Sequence, residues 1–157
     1  CRNQGAPIRG FVMTDRDAHV DAAVLMKQAS QRYTAVRRSI VTVLAKSSTP
    51  LTIGDILRLL PKVPQSSLYR NLTVLEQAGV AVRVKTSGDT GRYELSERLA
   101  GHHHHLVCSR CGSMKDIIVP GAIEKRLDDS LHAIAKREGY VMQNHRLDVV
   151  GVCKKCR

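Results

Sequence analysis

The fold is decided by the stretch SSLYRNLTVLEQAGVAVRVKTSGDTGRYEL, residues 66–95. Its first half predicts an amphipathic helix, because three leucines recur at helical spacing along one side. These are Leu68, Leu72 and Leu75. We expect Ser66 or Ser67 to cap the start of this helix and Gly79 to end it.

The second half of the same stretch predicts a β-hairpin. Val80–Lys85 and Arg92–Leu95 flank the turn-forming segment Thr86–Gly91. Upstream, the T-x-x-D pattern of Thr52 and Asp55 predicts the start of a short helix. A short helix, a turn, a helix with a polar outer face and a hairpin form the pattern of a winged helix-turn-helix domain. The second helix of such a domain lies in the major groove of DNA.

The polar face of this recognition helix carries groups that can contact phosphates, base edges or thymine methyl groups. The candidate DNA-binding residues are Ser66, Ser67, Tyr69, Arg70 and Thr73. Arg37, Arg38 and Lys85 are further candidates for phosphate contacts. An ordinary solvated helix face is the alternative interpretation of this segment taken alone.

The charge of the chain also favours a nucleic-acid partner. The 157 residues carry a formal net charge of +11. The excess lies in the N-terminal half, where the residues through Arg92 include 14 Lys or Arg and 6 Asp or Glu, against 11 and 8 in the remainder. This is the electrostatic footprint of a nucleic-acid binder, although a solvated basic surface gives the same count.

Helices are also predicted on both sides of the decisive stretch. Asp17–Ser30 forms a first helix, and Thr34 caps a second that continues to about Lys46. In the C-terminal half, a helix from about Ala122 to Glu138 carries an apolar stripe.

Two further extended segments accompany that C-terminal helix, Met114–Val119 and His145–Val152. Two or three strands and one helix form a marginal core. We therefore expect this half to be completed by a two-fold homodimer.

Four of the five cysteines form two C-x-x-C pairs, which are Cys108 with Cys111 and Cys153 with Cys156. Two such pairs complete a closed four-cysteine zinc site. Disulfides are the alternative, but the basic charge, the absence of an apolar signal segment and the single remaining cysteine favour a reducing cytosol. Cys1 is that remaining cysteine, and Met13 is a possible natural start.

A run of four histidines, 102–105, leads directly into the first cysteine pair. If this segment is extended, His102 and His104 face one side while His103 and His105 face the other. One run can therefore supply two metal sites. Carboxylates and one more histidine are available to complete them, namely Glu94, Glu97, Asp116, Glu124 and His145.

In this order and spacing, these motifs resemble the ferric uptake regulator family of metal-dependent transcriptional repressors, from about Asp15 to the end. They are SLYRNL and LEQAG in the recognition helix, RYEL at the end of the wing, HHHHLVCSRCG, NH in the last strand and the terminal CKKC. The resemblance implies an α+β fold, with an N-terminal winged helix-turn-helix domain and a small α/β dimerisation domain that holds the four-cysteine zinc. The expected divisions are a disordered tail 1–14, a DNA-binding domain 15–95, a hinge 96–101 and a dimerisation domain 102–157.

The resemblance also implies two sites besides the structural zinc. A regulatory site at the hinge would use Glu94, His103, His105 and Asp116. A second site in the dimerisation domain would use His102, His104, Glu124 and His145.

The chain departs from the family pattern at the hinge. Many iron-type members supply a histidine ligand from the loop before the third helix, where this chain has Pro50. About two extra residues precede His102, so Glu97 is an alternative to Glu94 as the hinge ligand. His19 is a candidate replacement for the missing histidine, although a solvated surface histidine is the simpler interpretation of His19 and of His132.

The resemblance favours Fe(II) as the regulatory metal, with Mn(II) next. Zinc-uptake members place a cysteine just before the histidine run, whereas every cysteine of this chain after Cys1 is assigned to the structural zinc, which disfavours zinc sensing. Peroxide sensors tend to use Asp at the position of Glu94, which disfavours peroxide sensing. Zinc, manganese and peroxide sensing remain alternatives within the family. The expected partners are palindromic AT-rich double-stranded DNA and a second copy of the chain, with no membrane.

Two other classes of protein are weighed against a regulator. The first is a metal-dependent hydrolase, but the sequence contains nothing that resembles an H-E-x-x-H motif or a nucleophile elbow. A winged helix would also serve no purpose in such an enzyme. A zinc-ribbon interaction module would bind DNA without responding to a second metal.

Overall fold

The computed structural model describes residues 15–84 and 91–157, without the side chains of residues 15 and 16. The predicted tail, with Cys1 and Met13, lies outside the described residues, as do Lys85 and most of the predicted wing turn. None of the described helices is long and apolar enough to cross a membrane.

Six helices and six strands are described. In chain order they are α1 (Asp15–Gln28), α2 (Ala35–Ala45), β1 (Leu51–Thr52), α3 (Ile53–Leu59), α4 (Gln65–Gln77), β2 (Ala81–Val84), β3 (Arg92–Leu95), α5 (Glu97–Ala100), β4 (His104–Cys108), β5 (Met114–Ile117), α6 (Gly121–Arg137) and β6 (Asp148–Gly151). This mixture confirms the predicted α+β class.

The N-terminal half has one core in which helices pack on a small antiparallel sheet. The three leucines of α4 are almost fully buried, together with Ile40 of α2 and Ile56 of α3. The sheet has the order β1-β3-β2, and Val82 of β2 is opposite Glu94 of β3. Helices α2, α3 and α4, with β1 between α2 and α3 and the β2–β3 hairpin after α4, form the predicted winged helix-turn-helix.

The helix caps agree with the predictions at two of three positions. Thr34 accepts a hydrogen bond from the Arg37 N–H at the start of α2. Thr52 and Asp55 form a reciprocal capping box at the start of α3. The prediction of a serine cap for α4 was wrong, because that helix begins at Gln65 after Pro64, whose fixed φ suits a helix start.

The predicted hinge segment contains a short helix. Leu99 of α5 is 1% exposed and belongs to the winged-helix core. The Ser96 hydroxyl donates to the Gly79 carbonyl oxygen at 2.7 Å. These contacts attach α5 to the N-terminal half, directly before the histidine run.

The C-terminal half contains a second three-stranded sheet with the order β5-β4-β6. β4 pairs antiparallel with β5 and parallel with β6. Next to this sheet α6 has no buried residue, and Ile123 and Ile134 of its apolar stripe are 57% and 47% exposed. The described part of a single chain therefore leaves this stripe largely uncovered.

Candidate metal centres

Three clusters of metal-ligating side chains lie in the C-terminal half and at its junction with the winged-helix domain. Within each cluster, one donor atom from every member lies within 4.8 Å of the others. We name them the cysteine cluster (Cys108, Cys111, Cys153, Cys156), the hinge cluster (Glu94, His103, His105, Asp116) and the second cluster (His102, His104, Glu124, His145). The structure places alternate histidines of the run in different clusters, as the period of an extended chain requires.

The cysteine cluster joins the turn after β4 to the end of the chain. Cys111 Sγ and Cys153 Sγ are 3.7 Å apart, and all four thiols are free. A disulfide needs about 2.05 Å between sulfurs. Four sulfurs at about 2.3 Å from a tetrahedral zinc ion are separated by roughly 3.8 Å, so the observed spacing fits that ion.

Backbone groups prepare part of this cluster for metal binding. The N–H of Cys153 donates to Cys108 Sγ at 3.3 Å. Together with the N–H of Cys111, this hydrogen bond lowers the pKa of Cys108 to about 6. The pKa of Cys156 is raised to about 12, chiefly by its hydrogen bond with Cys111. The Cys108 thiol therefore loses its proton readily, whereas the Cys156 thiol keeps its proton until a bound cation displaces it.

The hinge cluster combines residues of the two halves. Glu94 comes from β3 of the winged-helix domain, whereas His105 and Asp116 are register partners on β4 and β5. Glu94 Oε2 lies 3.1 Å from His105 Nε2 and 3.5 Å from His103 Nε2. His105 Nε2 is 3.8 Å from Asp116 Oδ1.

The electrostatics of the hinge cluster are those of a buried carboxylate facing imidazoles. Burial opposes ionisation of Glu94, but hydrogen bonds from His103 and His105 outweigh it and hold its pKa at about 2. The hydrogen bond to Glu94 raises the pKa of His103 to about 9. Burial raises the pKa of Asp116 to about 6. The hydrogen bond between protonated His103 and ionised Glu94 thus stabilises this cluster, and a divalent cation would displace the His103 proton.

The second cluster is organised around one carboxylate of α6. Glu124 Oε1 lies 3.1 Å from His102 Nε2 and 2.9 Å from His145 Nε2. Glu124 Oε2 lies 2.8 Å from His104 Nε2. The hydrogen bond from His104 lowers the pKa of Glu124.

Unsatisfied buried atoms in both mixed clusters fit bound cations. Asp116 Oδ1 and His145 Nε2 are buried and have no hydrogen-bond partner. His145 Nε2 is close to Glu124 without hydrogen-bond alignment. Such atoms carry a desolvation cost of about 1–3 kcal/mol each unless a partner is present. A cation in each cluster would supply the missing partner, for Asp116 Oδ1 in the hinge cluster and for His145 Nε2 in the second cluster.

The structure separates Glu94 from Glu97. Glu97 Oε1 lies 3.2 Å from His102 Nδ1. Glu97 is therefore next to the second cluster, and Glu94 alone belongs to the hinge cluster.

Pro50 provides no side-chain ligand, but its backbone takes part in another contact. The buried Pro50 has a carbonyl oxygen 3.3 Å from Arg92 Nη1. Arg92 Nη2 donates to the carbonyl oxygen of Gly112, beside the cysteine turn, at 2.9 Å. Arg92 therefore links the loop before α3 to the C-terminal half, a contact that the sequence analysis did not predict.

The two remaining histidines lie outside all three clusters. His19 on α1 contacts the Tyr33 hydroxyl at 2.6 Å and Thr42 Oγ1 at 3.0 Å, so it contributes to helix packing. His132 is exposed on α6 and contacts the Asp128 carbonyl oxygen at 3.0 Å.

The candidate DNA-binding residues lie along the outer face of α4. Ser66, Tyr69, Arg70 and Thr73 are exposed, and Ser67 is half-buried. The neighbouring Arg37 donates from Nε to Asn71 Oδ1 at 3.0 Å. This contact from α2 holds the recognition helix in place, so Arg37 has a structural role beside the phosphate role predicted for it.

Comparison with known proteins places this architecture in a family. The model of the ferric uptake regulator family matches residues 28–150. The chain is 32% identical over 139 residues to the ferric uptake regulation protein of Bordetella parapertussis, covering 84% of this chain and 94% of that protein. It is 30% identical over 141 residues to the peroxide operon regulator of Bacillus subtilis, covering 87% of this chain and 91% of that protein.

A solved structure of the Helicobacter pylori ferric uptake regulator has the same fold. Its TM-score is 0.73 at 24% sequence identity, over 94% of this chain and 96% of that one. The family match and the 32% identical relative together establish the classification. The chain belongs to the ferric uptake regulator family of metal-responsive transcriptional regulators.

Proposed function

We propose that this chain is a homodimeric repressor that binds operator DNA when a divalent metal occupies the hinge cluster. The observation that carries the proposal is the composition of that cluster. Glu94 belongs to the DNA-binding half, whereas His103, His105 and Asp116 belong to the other half. Joint coordination by these residues would favour the arrangement in which the two halves are joined.

The four cysteines are proposed to hold a structural Zn(II). Their 3.7 Å sulfur spacing and the lowered pKa of Cys108 support this assignment. Structural zinc sites typically contribute about 10–16 kcal/mol of apparent binding energy at neutral pH. Such a site would hold the end of the chain against β4 and keep the small sheet intact.

The hinge cluster is proposed to bind the regulatory metal. Two imidazoles and two carboxylates form a nitrogen and oxygen donor set without sulfur, which suits Fe(II) and Mn(II). Fe(II) is the leading candidate, and the named relatives include a ferric uptake regulation protein. Peroxide sensing is the second candidate, because another relative is a peroxide operon regulator.

The second cluster is proposed as a further metal site within the C-terminal half. Its four members come from the histidine run, α6 and the segment before β6. Coordination there would fasten α6 to the sheet, on which the helix itself has no buried side chain. We therefore assign it to stabilisation of the dimerisation domain.

DNA recognition is proposed to use α4 in the major groove of a palindromic, AT-rich operator. Tyr69 and Arg70 are the candidates for base or thymine contacts, and Ser66, Ser67 and Thr73 contact the backbone or bases. In a two-fold dimer, two such helices would enter successive major grooves. Metal binding can change DNA affinity only through its preference for the closed arrangement, typically about 1–3 kcal/mol.

A catalytic role is not proposed. The clustered histidines and carboxylates are assigned to metal binding by a regulator, because the protein's family consists of transcriptional regulators. A hydrolase would instead turn over a substrate at a metal with an open coordination position.

The test of the hinge assignment compares two glutamates that lie three residues apart. DNA affinity of the zinc-loaded protein is measured with and without Mn(II) for wild type, Glu94→Gln and Glu97→Gln. We expect Glu94→Gln to abolish the dependence on Mn(II) and Glu97→Gln to retain it, because only Glu94 belongs to the hinge cluster. A normal response to Mn(II) in Glu94→Gln would overturn the proposal.

A further inference from the structure

His103 and His105 of the hinge cluster differ from His104 of the second cluster in how their outer ring nitrogens are held. In the hinge cluster, His103 Nδ1 donates to the Gly101 carbonyl oxygen at 3.0 Å, and His105 Nδ1 donates to Asp148 Oδ1 at 3.2 Å. In the second cluster, His104 Nδ1 is buried without a hydrogen-bond partner. The hinge histidines are therefore oriented by the protein to a degree that His104 is not.

Asp148 is brought to His105 by strand pairing rather than by sequence proximity. It begins β6, which runs parallel to β4 and places Asp148 in register with His105. The backbone N–H of His105 also donates to the Leu147 carbonyl oxygen at 3.2 Å. Backbone and side chain of His105 are thus both attached to the start of β6.

A second contact fixes the Asp148 carboxylate. Arg146 contacts Asp148 Oδ1 from Nε and from Nη2, each at 3.2 Å, and Asp148 Oδ2 from Nη2 at 3.0 Å. His105 is 2% exposed, whereas one-third of the Asp148 side chain remains exposed. Arg146 and the pairing of β6 with β4 thus hold the Asp148 carboxylate next to the buried imidazole of His105.

We propose that Asp148 is a positioning residue for the hinge metal site. By accepting a hydrogen bond from the Nδ1–H of His105, Asp148 keeps the Nε2 lone pair directed toward Glu94 and Asp116 and makes Nε2 a stronger ligand for a metal. This inference rests on the proposed function of the hinge cluster. It adds a residue of the last strand to that site, so that β6 supports the bond between metal and His105.

The test measures Co(II) affinity of the full-length protein, with its structural zinc retained, by visible absorption. A Glu124→Ala background removes the central carboxylate of the second cluster, so that the titration reports the hinge cluster. In this background we expect Asp148→Ala to weaken Co(II) binding by about 10- to 100-fold, the usual effect of losing such a partner. Asp129→Asn, which removes a surface carboxylate of α6, should leave the affinity unchanged.

Two measurements distinguish positioning from loss of structure. Asp148→Asn keeps the shape and one acceptor oxygen, so it should fold as wild type and lose less affinity than Asp148→Ala. In protein loaded with diamagnetic Zn(II), the His105 Nδ1–H should give an exchange-protected NMR resonance that Asp148→Ala loses. Equal Co(II) affinity in Asp148→Ala and its parent would overturn the inference. Failure of the parent itself to bind Co(II) at the hinge would instead overturn the proposed function.

Discussion

Glu94 connects the two halves of the molecule through a single carboxylate. Its Oε2 atom faces His103 and His105, and those hydrogen bonds outweigh the effect of burial on its pKa. The sequence pointed to Glu94 and its three partners through family motifs and alternation along a strand, but it left Glu97 open as an alternative hinge ligand. The sequence did not predict the contact of Asp148 with His105 or that of Arg92 with Gly112, because both contacts depend on pairing between distant segments.

At the scale of single ligands, we expect Cys153→Ser to release the structural zinc. Three thiolates and a hydroxyl bind zinc more weakly than four thiolates, and the end of the chain is attached through this cluster. Metal analysis should find about one zinc fewer per protomer, and circular dichroism should show lower thermal stability. Ser109→Ala, in the turn between Cys108 and Cys111, is the matched control and should keep its zinc.

Arg70→Ala should separate DNA binding from metal binding. Arg70 is exposed on α4 and belongs to none of the three clusters. Loss of a contact to DNA of this type costs roughly 1–3 kcal/mol, so operator affinity should fall by about 5- to 150-fold. Metal content and thermal stability should match the wild type, and an unchanged operator affinity would remove Arg70 from the interface.

At the scale of elements, the sequence predicted most helices and strands but missed the shortest of each kind, α5 and β1. The T-x-x-D start of α3 and the leucine stripe of α4 are short-range patterns, and both appear in the structure. β1 was missed because two residues, Leu51 and Thr52, are too few to show alternation. Their strand forms only through pairing with β3, about 40 residues later.

The capping box of α3 gives a prediction that depends on pH. Asp55 Oδ2 accepts from the Thr52 N–H at 3.0 Å, and Asp55 also pairs with Arg58. Burial opposes ionisation, but the hydrogen bonds from Thr52 outweigh it and lower the pKa of Asp55 below its ordinary 3.8. The stabilisation is therefore complete above pH 3.8 and is lost as the pH falls through the lower folded value.

We therefore expect Asp55→Asn to reduce the free energy of unfolding by about 1 kcal/mol at neutral pH. Urea denaturation at several pH values should show the difference from wild type shrinking in acid. Arg58→Gln removes only the exposed ion pair, so it should cost less than Asp55→Asn at neutral pH. A difference between Asp55→Asn and wild type that is the same at every pH would contradict this account.

At the scale of the whole molecule, we expect exposed apolar side chains of the C-terminal half to pack against a second copy. Ile123 and Ile134 on α6 and Val150 on β6 are 57%, 47% and 63% exposed. Members of this family form dimers, and the described part of the chain leaves these apolar residues of α6 and β6 exposed. The sequence predicted the need for a partner from the small size of this half, but it did not identify the face.

Ile134→Asp should therefore weaken the dimer. Burying an isoleucine contributes roughly 1.5–3 kcal/mol, so the dimer Kd should rise by at least about tenfold. Analytical ultracentrifugation over a concentration series measures this change. Val20→Asp changes an exposed apolar residue of α1, in the DNA-binding half, and should leave the dimer intact.

Control of DNA binding by a metal at the hinge can be measured as the affinity of the dimer for a palindromic AT-rich duplex under anaerobic conditions. Mild chelation first leaves one zinc per protomer, and Fe(II), Mn(II) or Zn(II) is then added back. We expect binding of a second metal to increase the affinity for DNA by about 5- to 150-fold, and Fe(II) to produce this increase. Equal DNA affinity before and after the second metal binds would contradict this expectation.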